Sequence, residues 1–146
     1  MPTLRAWRAG DPVLDHIATI YREFDVTFDA TFESDLLDVG ADYAEGAFWV
    51  AEQDGRLVGT VGVVPNGDSR LIRRIYVAAA ARRQGLARRL LRHACGWGTF
   101  ARSELWSDLR FGSAHQLYLS EGFEPGPTRT LDDPDRSVER YFSRSG

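Results

Sequence analysis

The sequence predicts an α+β fold, a mixed central sheet of about six to seven strands with helices on both sides. Three observations lead there. Three β-branched and aromatic runs follow one another between residues 48 and 77, separated only by tight-turn residues, which reads as an antiparallel meander. Helical periodicity alternates with strand-like runs before and after them, which demands crossovers. A chain of 146 residues with 43% hydrophobic content is enough for one continuous core, so residues 1–146 are read as a single domain.

Thr3 to Arg8 alternates weakly and reads as a first strand. Gly10-Asp11-Pro12 then turns the chain, with Asp11 as N-cap and Pro12 at the first position of a helix. Leu14, Ile17, Ala18, Tyr21 and Phe24 form that helix's apolar stripe. Asp25 to Gly46 is acidic and aromatic without a clean period, mostly helix and loop, with a short second helix around Ser34 to Val39. Phe48 to Gln53 and Leu57 to Val64 are strands joined through Asp54-Gly55, residues that suit the positive φ of a primed hairpin turn. Asn66-Gly67-Asp68 makes the next turn, into a strand over Arg70 to Val77.

Gly85 to Trp97 is an amphipathic helix. Leu86, Ala87, Leu90, Leu91, Ala94 and Cys95 share one face, and Arg88, Arg89, Arg92 and His93 the other. Glu104 to Leu109 is a strand and Ser113 to Glu121 a short helix stopped by Gly122. Phe123 begins a return strand, Pro125 to Arg136 reads as a polar loop, and Val138 to Ser143 closes the fold. Trp49, Trp97 and Trp106 are assigned to the core.

Composition narrows the function classes. Cys95 is the only cysteine and the histidines, His16, His93 and His115, are far apart, so neither a disulfide nor a metal cluster is expected. No run of 18 or more apolar residues and no signal-like N-terminus is readable, so the protein is expected to be cytoplasmic, with no membrane partner. All 18 basic residues are Arg, which excludes lysine-based covalent chemistry. The net charge of −3 hides a segregation: Ser69 to Ser103 carries nine Arg and no acid, whereas Glu23 to Gly55 carries ten acids and no base.

The sharpest feature is the junction where Ile75-Tyr76-Val77 passes through Ala78 to Ala81 into Arg82-Arg83-Gln84-Gly85-Leu86-Ala87. A strand ends there, and a turn of small residues opens a basic helix. Such a junction aims unpaired N–H groups and the positive end of the helix dipole at one point, which suits a pyrophosphate. Gly85 permits close backbone approach.

Val77 to Ala87 resembles the V-x-P-x-x-(R/Q)-x-x-G-x-(G/A) signature of the GNAT superfamily of acyl-CoA-dependent N-acetyltransferases. Ala79 stands where proline is frequent and Arg83 where glycine is. Ala114 to Phe123 resembles the family's A-x-x-L-Y-x-x-x-G-F segment, and Ala47 to Gly59 its second and third strands. The resemblance implies a GNAT-like fold over nearly the whole chain and direct transfer of the acetyl group of acetyl-CoA to the primary amine of a small molecule or peptide. It implies cofactor contacts at Ile75, Tyr76, Val77, Arg82, Arg83, Gln84, Gly85, Leu86, Ala87 and Tyr118, with no metal.

Two catalytic roles follow from the resemblance. Tyr118 aligns with the general-acid tyrosine that protonates the departing thiolate. The strand Leu71 to Val77 lacks the carboxylate many relatives use as base, so Asp108, Glu52 or a water relay must serve; Asp108 is the choice, with a salt bridge to Arg110 or Arg74 as its other use. His115 lies three residues before Tyr118 as a relay candidate or a surface group. Cys95 is read as buried structure. The segment Glu23 to Glu45, with eight acids, corresponds to an acceptor wall, where Tyr43, Phe24, Phe28 and Phe32 are candidates for the lining and a cationic amine is favoured. An acyl-CoA-binding regulatory module without turnover is the alternative function. A nucleic-acid surface along Arg70 to Arg92 is disfavoured by the acidic remainder of the chain. Monomer and homodimer both stay open.

Overall fold

In the computed structural model, which describes residues 1–146, the chain opens with an edge strand, β1 (Thr3–Ala6). A helix, α1 (Val13–Glu23), follows with Pro12 at its N-cap position and no side-chain cap. The carboxylate of Asp11, expected as that cap, instead accepts both Nη groups of Arg5 (2.9 and 2.8 Å) and the Arg8 N–H (2.7 Å). A bidentate charged partner outcompetes a single capping N–H. Val13, Ile17, Ile20 and Tyr21 are the buried stripe, which keeps Ile17 and Tyr21 of the predicted face and takes Val13 and Ile20 in place of Leu14 and Ala18. The acidic segment beyond it contains a 3-10 turn at Ser34–Leu36 and a one-turn helix, α2 (Val39–Asp42), capped by Asp38 Oδ1 at 3.1 Å from the Ala41 N–H.

β2 (Ala47–Gln53) and β3 (Arg56–Asn66) are joined by Asp54 and Gly55 at φ 54° and 75°, the left-handed pair that a primed turn requires. β4 (Ser69–Val77) completes the antiparallel meander. The crossover helix α3 (Leu86–Cys95) leads to β5 (Arg102–Asp108), which is parallel to β4; α4 (Gly112–Ser120) then ends at Gly122, φ 85°. β6 (Glu124–Thr130) and β7 (Val138–Ser145) finish a seven-stranded sheet in the order β1-β2-β3-β4-β5-β7-β6. The expected polar loop over Pro125 to Arg136 is therefore half strand. Pro125 and Pro127 are tolerated because β6 is the sheet edge, where a missing N–H leaves no ladder bond unmade.

The sheet carries a core on each face. Val61, Val63 and Ile72 pack under Leu86, Leu90, Leu91 and Ala94 of α3 and Tyr118 of α4. On the other face Phe48 and Val50 pack against Ile17 and Tyr21 of α1 with Leu36, Val39 and Tyr43. Gly62 on β3 has no side chain because the rings of Tyr43 and Phe48 occupy that space; a Cβ there would lie 2.6 Å from the Tyr43 ring. Each fully buried leucine contributes about 1.5–3 kcal/mol. Trp49, Trp97 and Trp106, expected in the core, are half-buried at its margins. No helix is long and apolar enough to cross a membrane.

Candidate active site

The site begins as a failure of strand pairing. β4 and β5 are paired only at Ser69 with Arg102, Arg70 with Ser103 and Leu71 with Glu104. Beyond that the strands part. On the other edge of β4 the register against β3 slips between Thr60 and Gly62, and Arg74 adopts φ 62°, its carbonyl taken by Thr60 Oγ1 at 2.8 Å. This is a β-bulge, which bends the strand and re-aims its side chains. The wedge so opened is a cavity of about 560 Å³, walled by Ile72 to Val77, Leu105 to Asp108 and the facing side of α4.

At one end of the cavity lies the turn into α3. Arg83 and Gly85 both have positive φ, 63° and 75°, and Gly85 holds the N-cap position in the left-handed region. A Cβ on Gly85 would meet nothing, so the glycine serves φ rather than space. The N–H groups of every residue from Arg83 to Arg88 lack a hydrogen-bond acceptor in the protein, and Arg89 is the first to bond back, to Gly85 O. These donors sit at the positive end of the helix dipole, an arrangement suited to a bound anion. Arg82, Arg83, Gly85, Leu86, Ala87 and Arg88 belong to the cavity wall; Gln84 does not. Arg82 does not point a free guanidinium inward: it donates to Val77 O (3.0 Å) and pairs with Glu23 at the end of α1 (2.7 Å).

Tyr118 lines the wedge, 5% exposed and among the wall residues with Ile75, Tyr76 and Val77. Burial pushes its phenol up, so it stays protonated at neutral pH and suits the role of acid rather than base. Asp108 is also in the wall, yet Arg110 occupies both carboxylate oxygens through Nε (3.0 Å) and Nη2 (2.7 Å) and its backbone N–H adds a third bond (2.8 Å). His115 lies outside the wall; its Nε2 is 3.1 Å from Ser107 Oγ and 3.0 Å from Asp108 O, and burial lowers its pKa. It ties α4 to β5. Glu52 is away from the cavity, paired with Arg5 at 2.6 Å, and Cys95 is buried in the core under α3.

The other end holds a cluster that pattern reading did not single out. Arg74, displaced to this face by the bulge, grips Asp35 through Nε (3.0 Å) and Nη2 (2.6 Å) and donates from Nη1 to the Tyr21 hydroxyl (3.0 Å). Tyr21 donates to Glu33 Oε1 (3.1 Å) and lies 3.2 Å from the Tyr76 hydroxyl; Tyr43 donates to Asp35 Oδ2 (2.6 Å). Burial would lift the Asp35 carboxyl, but Arg74 outweighs it and holds it below its ordinary value. Of the eight acids from Glu23 to Glu45, only Glu33 reaches the cavity. The expected aromatic lining reduces to Phe24; Tyr43, Phe28 and Phe32 face elsewhere. The chain after α1 is drawn across the cavity, Phe24 meeting Phe111 edge-on at 4.8 Å and Thr27 donating to Asp135 from N–H (2.7 Å) and hydroxyl (2.8 Å). No group of three His, Cys, Asp or Glu side chains is placed to hold a metal ion.

Residues 44–125 match the acetyltransferase (GNAT) domain model. Among curated proteins, the chain is 33% identical over 130 residues to the probable N-acetyltransferase family 8 member 5 of Mus musculus, covering 80% of this chain and 51% of that one. Human N-acetyltransferase 8 is 32% identical over 111 residues, covering 66% and 48%. The chain thus spans about half the length of these relatives. Among solved structures, a GNAT-family acetyltransferase from Staphylococcus aureus Mu50 superposes with a TM-score of 0.83 at 19% identity, covering 99% of both chains. Arabidopsis thaliana NAA60, solved with a bisubstrate analogue, gives 0.73 at 16% identity over 99% and 98%. A streptothricin acetyltransferase of Bacillus anthracis, described as putative and solved with acetyl coenzyme A, gives 0.61 at 20% identity over 70% and 63%. The matched residues hold both the N–H row of α3 and the Tyr118 helix, and the chain belongs to the GNAT acetyltransferase family.

Proposed function

We propose that the chain transfers the acetyl group of acetyl-CoA directly to a primary amine of a small molecule or peptide, both substrates being bound together. The observation that carries this reading is the unbroken row of unpaired N–H groups from Arg83 to Arg88, opening into a wedge that passes beneath Tyr118. The residues fit acetyl-CoA: the N–H row and the Arg83 side chain suit its pyrophosphate, Arg88 being paired with Glu121 at 3.1 Å, and the parted edges of β4 and β5 suit an extended arm. When bound, acetyl-CoA supplies an acetyl group activated as a thioester. Tyr118, kept protonated by burial, donates its hydroxyl hydrogen to the leaving sulfur, whose free thiol has a pKa of about 8.5.

The acceptor enters beside Tyr21 and Glu33, Phe24 lying nearer the cradle under Arg82 at 5.7 Å. Glu23, Asp35 and Asp38 are spent on Arg82, Arg74 and the α2 cap, so the acidic segment offers an amine one carboxylate, not a polyanionic surface. We place the protein in the cytoplasm.

A thiol-release assay with acetyl-CoA and a panel of primary amines, amino acids and peptides tests the proposal. Release with any amine, and acetylated product by mass spectrometry, is the expected result. A rise in melting temperature with acetyl-CoA but no release with any amine would contradict the enzyme reading in favour of an acyl-CoA-binding module.

A further inference from the structure

An alkyl amine with a pKa near 10 arrives as an ammonium and must lose a proton before it attacks. β4 offers no carboxylate, and of the other carboxylates in the cavity wall Asp108 is held by Arg110, Asp133 by the N–H and hydroxyl of Ser137, and Glu139 by Arg129. We propose that the proton leaves through the phenols of Tyr76 and Tyr21 to the carboxylate of Glu33. The proposal rests on the acetyltransfer reading above.

Hydrogen-bond accounting fixes the direction. A phenol has one hydrogen to donate and two lone pairs to accept with. Tyr21 gives its hydrogen to Glu33 Oε1 and accepts from Arg74 Nη1, so in its 3.2 Å contact with Tyr76 it must accept again. Tyr21 is then saturated. Tyr76 is the donor in that contact, its oxygen keeps a lone pair beyond the one turned to Arg74, and it lines the cavity with Tyr118. An ammonium there gives a proton to Tyr76 Oη as Tyr76 passes its own to Tyr21 and Tyr21 passes its own to Glu33 Oε1. One N–H bond breaks, one O–H bond forms on Glu33, both phenols end as they began, and the nitrogen lone pair is free for the acetyl carbon. The carboxyl later returns the proton to solvent.

Tyr76 is the catalytic residue in this scheme; Tyr21 and Glu33 act through it. Glu33 is faced by Tyr21 from α1, by Arg74 (3.9 Å) and Tyr76 from β4, and by Asp29 on its own segment, whose N–H donates to Oε2 at 2.9 Å. Burial is the largest influence and raises its pKa, against the Asp29 N–H, Arg74 and Tyr21, which improves its capacity to keep a proton.

Two measurements test the relay. In protein labelled with carbon-13 at glutamate carboxyls, the resonance lost in Glu33→Gln is expected to titrate above the ordinary glutamate value of about 4.3. A midpoint at or below that value would overturn the relay. In the thiol-release assay with the panel's best amine, kcat of the native chain is expected to fall as pH drops through the same midpoint. Tyr76→Phe, which removes one oxygen and no packed carbon, should lose about 100-fold in kcat, and Glu33→Gln should lose both rate and that acidic limb. Variants that keep the native rate and profile while the native chain releases thiol would sink the relay alone. No release by the native chain would sink the acetyltransfer reading and the relay with it.

Discussion

Tyr118 and Asp35 show two different uses of a buried polar side chain. Tyr118 is packed among core residues and lines the wedge with Ser107 beside its hydroxyl, so Tyr118→Phe keeps the packing and removes only the proposed acid. We predict a kcat lower by about 100-fold, with KM for acetyl-CoA within a few-fold of native, measured by thiol release. Asp35 holds no substrate; it neutralises Arg74, whose side chain is 8% exposed. Asp35→Asn leaves that buried guanidinium with only the looser Glu33 contact at 3.9 Å and should cost about 3 kcal/mol in urea unfolding. His115, by contrast, bonds only to Ser107 and the Asp108 carbonyl. His115→Ala should lower the melting temperature and leave the shape of the pH–rate profile unchanged.

At the level of elements, the junction of β4 with α3 is where sequence and geometry coincide most closely. The local form of Val77 to Ala87 was legible because a candidate anion cradle is built from backbone, and backbone needs are written in local residue choice: a glycine at the left-handed Gly85, small residues at Ala79–Ala81 and no acids in the run. Gly85→Ala puts a β-carbon on a residue at φ 75°, which costs about 1–2 kcal/mol. We expect that loss in thermal unfolding, together with weaker acetyl-CoA binding by calorimetry. The meander, the Asp54-Gly55 turn and the α4 stop at Gly122 were legible for the same local reason. Three things were not. β6 was hidden by Pro125 and Pro127, which exclude a central strand but not an edge. The α1 cap was hidden because Asp11 found Arg5, a tertiary partner. The Tyr21, Tyr76, Arg74 and Glu33 cluster joins α1, β4 and the acidic segment through a bulge at Arg74, and no local pattern announces where a bulge will turn a side chain; the run Arg73-Arg74, against the alternation of β4, was the one trace of it.

For the molecule as a whole, the charge segregation of the sequence becomes a set of cross-links: Arg82 to Glu23 and Arg74 to Asp35 tie the basic strand and cradle to the acidic segment. Asp11, through its bonds from Arg5, and Asp35, where Arg74 overrides burial, are held below ordinary carboxylate values. Groups depressed in the folded state contribute stability that is complete above the unfolded pKa of about 3.9 and lost as pH falls through the folded values. Glu33, raised by burial, works in the opposite sense, its contribution complete below its unfolded pKa and lost as pH rises through the folded one. Thermal melts should therefore show the melting temperature falling below about pH 4, with a shallower fall in Asp35→Asn. The wedge and its cradle are tested most directly by calorimetric titration of acetyl-CoA against S-acetylpantetheine, which has the same thioester arm without the pyrophosphate and its 3′-phosphoadenosine. Binding to the N–H row predicts that acetyl-CoA binds at least about 100-fold more tightly, two or more charge-assisted hydrogen bonds' worth, and that the difference shrinks with salt. Equal affinity for the two, or no binding of acetyl-CoA, would contradict it.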